Sequence, residues 1–483
     1  MRLIFNNFRA SGHFRKEKDS GYSIGLSSQF IIFIIVALGS LQSCSGNKKK
    51  DIVVNQNSVI CNKLTHYCCK ANPGNCYEAF VPVGTKDGEQ LPMIIFFDPA
   101  GKGEIPVGRY SALATKYKYI VVGSKSTKNG MPWSELTKIT SELIADATAR
   151  FNTAPRRLYL SGFSGGGRIA SGYAVDKGGV TGVATCSAGL PLTEGTIRNS
   201  FNMIGFSGDE DMNFLELKQH ESSLKGTNIP FHLVTFQGEH AWPEAEVFEK
   251  AFLWFEFQAM RSKIILKNDS LIAAYMKAAE NQTNTFLLGG NTKGTYELST
   301  EVIHFVKDLT DVSEYESMKK KALGDKKFVS EAVKIDQLYL METQKQQEYV
   351  TALNEKDISW WKAETERVFS DIKASSWREE SAMLKRTLNY ASLAVYMMTT
   401  RARSSNDSVA FFRDVAIYSL VDPENPETKF LQAVIAAQHG DAAAVVFNLK
   451  ESLELGLEDK SRLTHDPAFA AFQNEPEFLD LLK

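Results

Sequence analysis

A doubly wound, mostly parallel α/β sheet followed by an all-helical region is the architecture this sequence predicts, on three observations. Short apolar runs alternate with helical stretches between Tyr77 and Gln258. Most of these runs are nearly continuous in apolar residues, the mark of strands covered on both faces rather than on one. From about Ile264 the strand signals give way to charged helical sequence with Met, Leu and Phe at helical spacing.

The predicted strands are Tyr77–Val81, Met93–Phe97, Tyr119–Val122, Arg157–Ser161, Val180–Ala184, Phe201–Phe206 and Phe231–Phe236. The predicted helices between them are Arg109–Lys116, Trp133–Arg150, Gly167–Val175, Asn213–Leu224 and Glu244–Gln258. Such alternation builds a sheet with helices on both faces. In the last hundred residues, Phe430–Gln438 and Ala442–Leu455 flank Gly440-Asp441, a tight helix-to-helix turn, with the small Ala433 where helices must approach. This hairpin and the ending from His465 to Leu482 resemble a degenerate tetratricopeptide repeat, although Val445 and Ser452 stand where that family has alanine. The Gly-, Asn- and Thr-rich segment Gly289–Thr295 reads as a flexible joint. The expected organisation is a leader over 1–43, a tether over 44–59, a sheet domain with a cysteine-rich leading segment over 60–262, a helical linker over 263–383 and a helical repeat domain over 384–483.

The 483 residues exceed one compact core. A net charge of −2 gives no sign of the strongly basic balance that nucleic acid selects, so no nucleic-acid partner is expected. Arg2, Arg9, Arg15, Lys16 and Lys18 precede an apolar run from Phe30 to Leu41, which has the size of a signal-peptide core and is too short for a spanning helix. It ends in Leu41-Gln42-Ser43-Cys44, which resembles a bacterial lipobox. That resemblance implies cleavage before Cys44, diacylation of its thiol, and a lipoprotein of the bacterial envelope. The expected place is the outer membrane, facing the periplasm or the surface. In an oxidising compartment Cys61, Cys68, Cys69 and Cys76, four cysteines within sixteen residues, are expected to form two local disulfides. The adjacent pair Cys68–Cys69 is sterically disfavoured, and the pairing is otherwise open. The spacing C-x6-C-C-x6-C lacks the C-x2-C pairs of zinc sites, so no metal is expected. Cys186, inside an apolar run, reads as a buried free thiol.

The chemistry is carried by Leu158-Tyr159-Leu160-Ser161-Gly162-Phe163-Ser164-Gly165-Gly166-Gly167. An apolar strand runs into G-x-S-x-G and a helix follows, the context of a nucleophile elbow. Small residues are required there because strand and helix approach closely around a strained serine. This element resembles that of the α/β hydrolases, and the resemblance implies Ser164 as nucleophile with its partners in the order Ser, acid, His. His240 follows the strand Phe231–Phe236, whereas His220 and His232 lie inside a helix and a strand and read as structural. The acid should follow Phe201–Phe206, where both Asp209 and Asp211 occur in Gly208-Asp209-Glu210-Asp211. An oxyanion hole needs two N–H donors. One is expected from Gly165 and the other from Ala100 or Gly101, in the loop after Met93–Phe97, where relatives carry a His-Gly pair and this chain has Asp98-Pro99-Ala100-Gly101. Lys125–Gly130, at the carboxyl edge of the sheet, is a second candidate wall of the groove.

With Gly238-Glu239-His240-Ala241-Trp242-Pro243, residues 77 to 260 resemble the polyhydroxybutyrate depolymerase and feruloyl esterase group of α/β hydrolases. The resemblance implies a Ser164, Asp211 and His240 triad, Trp242 beside the histidine, no cofactor, and an ester of a polyester or a polysaccharide as substrate. A serine peptidase on the same fold is the alternative. So is an inert scaffold acting through a protein partner bound by its helical repeats.

Overall fold

The computed structural model describes residues 60–86, 88–191 and 197–482. Cys44 and the expected leader and tether therefore lie outside the described residues. No helix among those described is long and apolar enough to cross a membrane.

Eight strands form one sheet: β1 (Thr65–Cys68), β2 (Cys76–Phe80), β3 (Leu91–Phe97), β4 (Ile120–Ser124), β5 (Thr153–Phe163), β6 (Gly182–Cys186), β7 (Asn202–Gly208) and β8 (Phe231–Phe236). Their order is β1-β2-β4-β3-β5-β6-β7-β8. The first two are antiparallel and β3 to β8 all run parallel. The strand β1 is absent from the sequence expectation, since a four-residue segment between cysteines has no apolar run to mark it.

The continuous apolar runs have the expected cause. Every residue of β3 is buried, and because successive side chains point to opposite faces, Ile94 and Phe96 enter one core while Met93, Ile95 and Phe97 enter another. The first core is closed by α1 (Glu104–Tyr117) and α5 (Ala245–Arg261) through Val107, Tyr110, Phe248 and Phe252. The second is closed by α2 (Trp133–Arg150) and α3 (Gly165–Asp176) through Leu143, Ile169 and Tyr173. Helix α4 (Phe214–Ser223) lies between β7 and β8 in the chain.

The sheet unit does not stop at residue 262. Helices α6 (Asp269–Leu288), α7 (Thr292–Val306) and α8 (Ser313–Gly324) send Ile272, Ala279, Leu298, Val302, Phe305 and Tyr315 into the first core. The chain divides into two units, one running to Lys334 without Glu210–Met212 and the other holding those three residues and Ile335–Lys483. The boundary thus falls within α9 (Lys326–Glu355), and residues 263–334 are part of the sheet unit rather than a linker. The expected joint at Gly289–Thr295 is instead a capped turn. Asn291 accepts from Gly294 N at 2.8 Å, Thr295 Oγ1 donates to Asn291 O at 3.0 Å, and Gly294 and Thr295 are buried. Composition suggested mobility; capping and packing remove it.

The second unit is all helical, with α10 (Ile358–Ala374), α11 (Arg378–Ser404), α12 (Ser408–Val421), α13 (Pro426–Gln438), α14 (Ala442–Glu454), α15 (Ser461–His465) and α16 (Pro476–Leu481) completing it. Its core holds Trp361, Phe411, Phe430, Phe469 and Phe478. Buried Glu342 accepts from Arg386 Nε at 2.9 Å, pairing α9 with α11. The turn Gly440-Asp441 falls where the sequence placed it: Gly440 has φ 70° and Asp441 accepts from Ala444 N at 3.0 Å. Ser452 is buried without leaving its hydroxyl unpaired, because it donates to Pro426 O at 2.7 Å.

The cysteines correct the expectation of two disulfides. One bond forms, Cys68–Cys76, and Cys61 and Cys69 are free. The register explains it. Cys68 and Cys76 are directly opposed across the β1–β2 ladder, while Cys69 is buried in the second core beside Tyr67 and Tyr77. Burial, with Asp146 nearby, pushes the Cys69 thiol up to about 11. Cys186 is fully buried, as expected, and its thiol is likewise pushed up by burial.

Candidate active site

All the parallel strands of the sheet point their carboxyl ends to one edge, and every residue singled out for chemistry follows such an end. Ala100 and Gly101 follow β3, Lys125–Gly130 follows β4, Ser164 follows β5, Asp211 follows β7, and His240 and Trp242 follow β8. Topology alone therefore gathers residues spread over more than 140 positions.

Ser164 makes the turn between β5 and α3 by itself, since β5 ends at Phe163 and α3 starts at Gly165. Its backbone sits at φ 52°, ψ −122°, a conformation that costs a non-glycine residue about 1–3 kcal/mol. The surrounding structure holds it there: Ser164 N donates to Cys186 O at 2.9 Å, and Arg168 N donates to Ser164 O at 3.2 Å. The glycines answer a steric demand. A Cβ on Gly162 would lie 2.2 Å from Gly166 O, and one on Gly166 would lie 1.9 Å from Phe97 O. Only without side chains can the start of α3 press against both β5 and β3.

His240 is half-exposed and its ring centroid lies 4.7 Å from that of Phe163, the residue before Ser164. Its loop is held from several sides. Gly238 N donates to Asp209 Oδ1 at 3.0 Å, Arg109 Nη1 donates to Trp242 O at 3.1 Å, and Tyr110 Oη donates to Pro243 O at 2.8 Å. Trp242 is buried among Phe96, Tyr110 and Phe163 and gives its indole N–H to Asp98 Oδ2 at 3.3 Å. Its ring is thus a core anchor of the histidine loop.

The two candidate acids differ in surroundings. Asp209 continues the sheet through its own N–H to Phe236 O at 2.8 Å, and its carboxylate holds the backbone of the histidine loop at Gly238. Asp211 is fully buried, two residues further into the turn after β7. Asn213 does not cap α4 with its side chain; the amide donates instead to Ser187 O at 2.8 Å. Ser187 is itself at φ 55° directly after β6, a second strained non-glycine residue at this edge. The expected structural histidines are structural: His220 Nε2 accepts from Leu190 N at 2.7 Å, and His232 is buried in β8.

The loop after β3 departs from expectation. Pro99 has no N–H, Ala100 N donates to Asp98 Oδ1 at 2.8 Å, Gly101 N to Asp98 O at 3.1 Å, and Lys102 N to Asp98 Oδ1 at 3.2 Å. The N–H groups of Ala100 and Gly101, expected to face the reacting oxygen, are turned onto Asp98. The cause is the aspartate itself, whose side chain collects the backbone N–H groups that follow it, the ordinary behaviour of Asp at the head of a turn. Asp98 was legible as a turn residue; its hold on Trp242 was not. Gly165, by contrast, opens α3, so its N–H has no acceptor within the helix.

No family model matches this sequence, and no curated protein matches it. Solved structures do. S-formylglutathione hydrolase from Staphylococcus aureus is 13% identical, with 40% of this chain and 95% of that chain covered and a TM-score of 0.33. The feruloyl esterase module from Clostridium thermocellum, complexed with sinapinate, is 11% identical over 39% of this chain and 86% of that chain, at a TM-score of 0.33. Dipeptidyl peptidase 4 from Porphyromonas gingivalis is 11% identical over 40% of this chain, at a TM-score of 0.33, and 35% of its own length is covered. The strand order, the parallel run from β3 to β8 and the strand–serine–helix turn after β5 give the sheet unit an α/β-hydrolase fold.

Proposed function

We propose that the sheet unit is a serine hydrolase that cleaves carboxylic esters through an acyl-enzyme. The observation that carries the reading is the strained backbone of Ser164 between β5 and α3, since a fold retains such strain where geometry matters more than stability. In the first step the Ser164 Oγ–carbon bond forms, its proton passes to His240, and the carbonyl π electrons move to oxygen. Collapse of that oxyanion expels the alkoxide, which takes the proton from His240. Water then repeats the sequence and releases the acid. Asp211 is the proposed carboxylate that orients His240, and Gly165 N–H the first oxyanion donor. Asp209 is given the structural role, because its carboxylate already holds Gly238.

A fluorophosphonate probe tests the reading: the full-length protein should label and Ser164→Ala should not. Turnover of p-nitrophenyl acetate against dipeptide amides then separates esterase from peptidase. A folded protein that neither labels nor hydrolyses any ester would favour the inert-scaffold reading. Export and anchoring through Cys44 belong to the same proposal, on the strength of Leu41-Gln42-Ser43-Cys44. Cys44→Ser should release the protein from membranes, and a mature N-terminus elsewhere would overturn that part. A polyester or polysaccharide ester as substrate, and a protein partner for the helical unit, rest on resemblance and are tested by an ester panel and by co-purification with the isolated helical unit as competitor.

A further inference from the structure

The loop after β3 turns the N–H groups of Ala100, Gly101 and Lys102 onto Asp98, so neither donor expected from that loop is free to meet the reacting oxygen. One residue outside that loop touches both the loop and the residue after the nucleophile. Asn129, in the loop after β4, donates its backbone N–H to Pro99 O at 2.8 Å and so is tied to the loop after β3. Its carboxamide lies directly against Gly165: a Cβ on Gly165 would meet Asn129 Oδ1 at 1.8 Å, Cγ at 2.7 Å and Nδ2 at 3.0 Å. Gly165 follows the nucleophile, and its N–H is the donor already assigned. The carboxamide thus occupies the space beside that N–H, and a rotation about its terminal bond brings Nδ2 to the side now held by Oδ1.

We propose that the Asn129 carboxamide is the second oxyanion donor, replacing the backbone N–H that Asp98 has taken from the loop after β3. The inference rests on the serine hydrolase reading. In the addition step, as charge gathers on the carbonyl oxygen, Gly165 N–H and Asn129 Nδ2–H donate to it together. The hydrogen bonds strengthen as the C=O bond becomes a C–O⁻ bond, so their effect is on kcat. A side-chain donor of this kind is worth about 100- to 1,000-fold in kcat in the enzymes where one has been removed.

The experiment compares wild type, Asn129→Ala and Asn129→Asp, as full-length chains, on p-nitrophenyl acetate and its thiono analogue. Asn129 is exposed, so the variants should keep the wild-type Tm. Asn129→Ala should lose about 100- to 1,000-fold in kcat with KM within a few-fold, and Asn129→Asp, which sets a negative charge at the same place, at least as much. Wild type should strongly prefer the oxygen ester, because sulfur accepts hydrogen bonds poorly, and Asn129→Ala should lose much of that preference. An Asn129→Ala enzyme within about threefold of wild type, or one whose loss lies wholly in KM with the preference intact, overturns the assignment while leaving the hydrolase reading in place. A wild-type protein that neither labels with fluorophosphonate nor turns over either ester overturns both.

Discussion

The buried carboxylate of Asp98 receives the indole N–H of Trp242 at 3.3 Å, and so ties the loop after β3 to the loop that carries His240. The same carboxylate receives Ala100 N and Lys102 N through its other oxygen. One side chain thereby sets the shape of one loop and the position of another, across 144 residues of sequence.

Asp98→Ala should therefore affect both loops together. Three N–H groups would lose a charged acceptor, at about 1.5–3 kcal/mol for a hydrogen bond to a charged group. We expect a lower Tm and a fall in kcat/KM of at least tenfold, read by thermal unfolding and ester kinetics on the same sample. An active variant with wild-type Tm would refute the coupling.

The carboxylates of the turn after β7 should separate in kinetics. Asp211→Asn should lower kcat by about 10⁴, as the corresponding change does in a serine protease. Asp209→Asn should cost far less and show mainly in stability, because its amide oxygen can still accept from Gly238 N. The reverse ranking of kcat would exchange the two roles.

The elbow glycines should be intolerant of even a methyl group. Gly166→Ala would place Cβ 1.9 Å from Phe97 O, and backbone rather than a flexible side chain must then move. Overpacking of this kind costs about 1–3 kcal/mol or more. Denaturant midpoints for Gly166→Ala should fall accordingly, and a midpoint equal to wild type would contradict the close approach of α3 to β3.

Alkylation of the denatured, non-reduced sheet unit should label Cys61, Cys69 and Cys186 and spare Cys68 and Cys76. In the native protein Cys61, which is exposed, should react first, since burial raises both other thiols. Closing this short hairpin should contribute about 2–3 kcal/mol, measurable as the shift in denaturant midpoint on replacing both cysteines by serine.

The contact between buried His232 and exposed His304 should weaken the sheet unit in acid. His232 Nδ1 lies 3.1 Å from His304 Nδ1, joining β8 to α7. Burial first, then neighbouring positive charges including Lys250 for His232 and Lys319 for both, holds the two imidazoles below their ordinary range. The unfolded histidines bind protons near pH 6.5 while the folded ones stay neutral, so the unfolded state binds more protons there. Stability should thus be complete above about pH 6.5 and fall as the pH drops through that value, by about 1.4 kcal/mol for each unit of depression at buried His232 and by less at His304, whose exposure to solvent screens the effect. His304→Gln should flatten the slope between pH 7 and pH 5 in urea titrations; an unchanged slope would assign the acid loss to other groups.

The strands of the sheet and the elbow were legible in the sequence because their signals are local. A strand buried on both faces must be apolar throughout, and a serine between strand and helix needs glycine on either side, so β3, β5 and Ser164 could be placed from composition and spacing alone. The same holds for the Gly440-Asp441 turn, where φ and capping are properties of adjacent residues. What only the tertiary structure decided depends on partners distant in sequence. Whether Ala100 N–H faces the site depends on where the Asp98 carboxylate turns, and whether Asn129 borders Gly165 depends on the registration of the β4 loop over α3. Cys68 bonded to Cys76 because β1, a strand too short to announce itself, set the two opposite each other. Residues 263–334 joined the sheet unit because their apolar faces found Trp254 and Phe257, and an amphipathic helix does not encode which apolar surface will cover it.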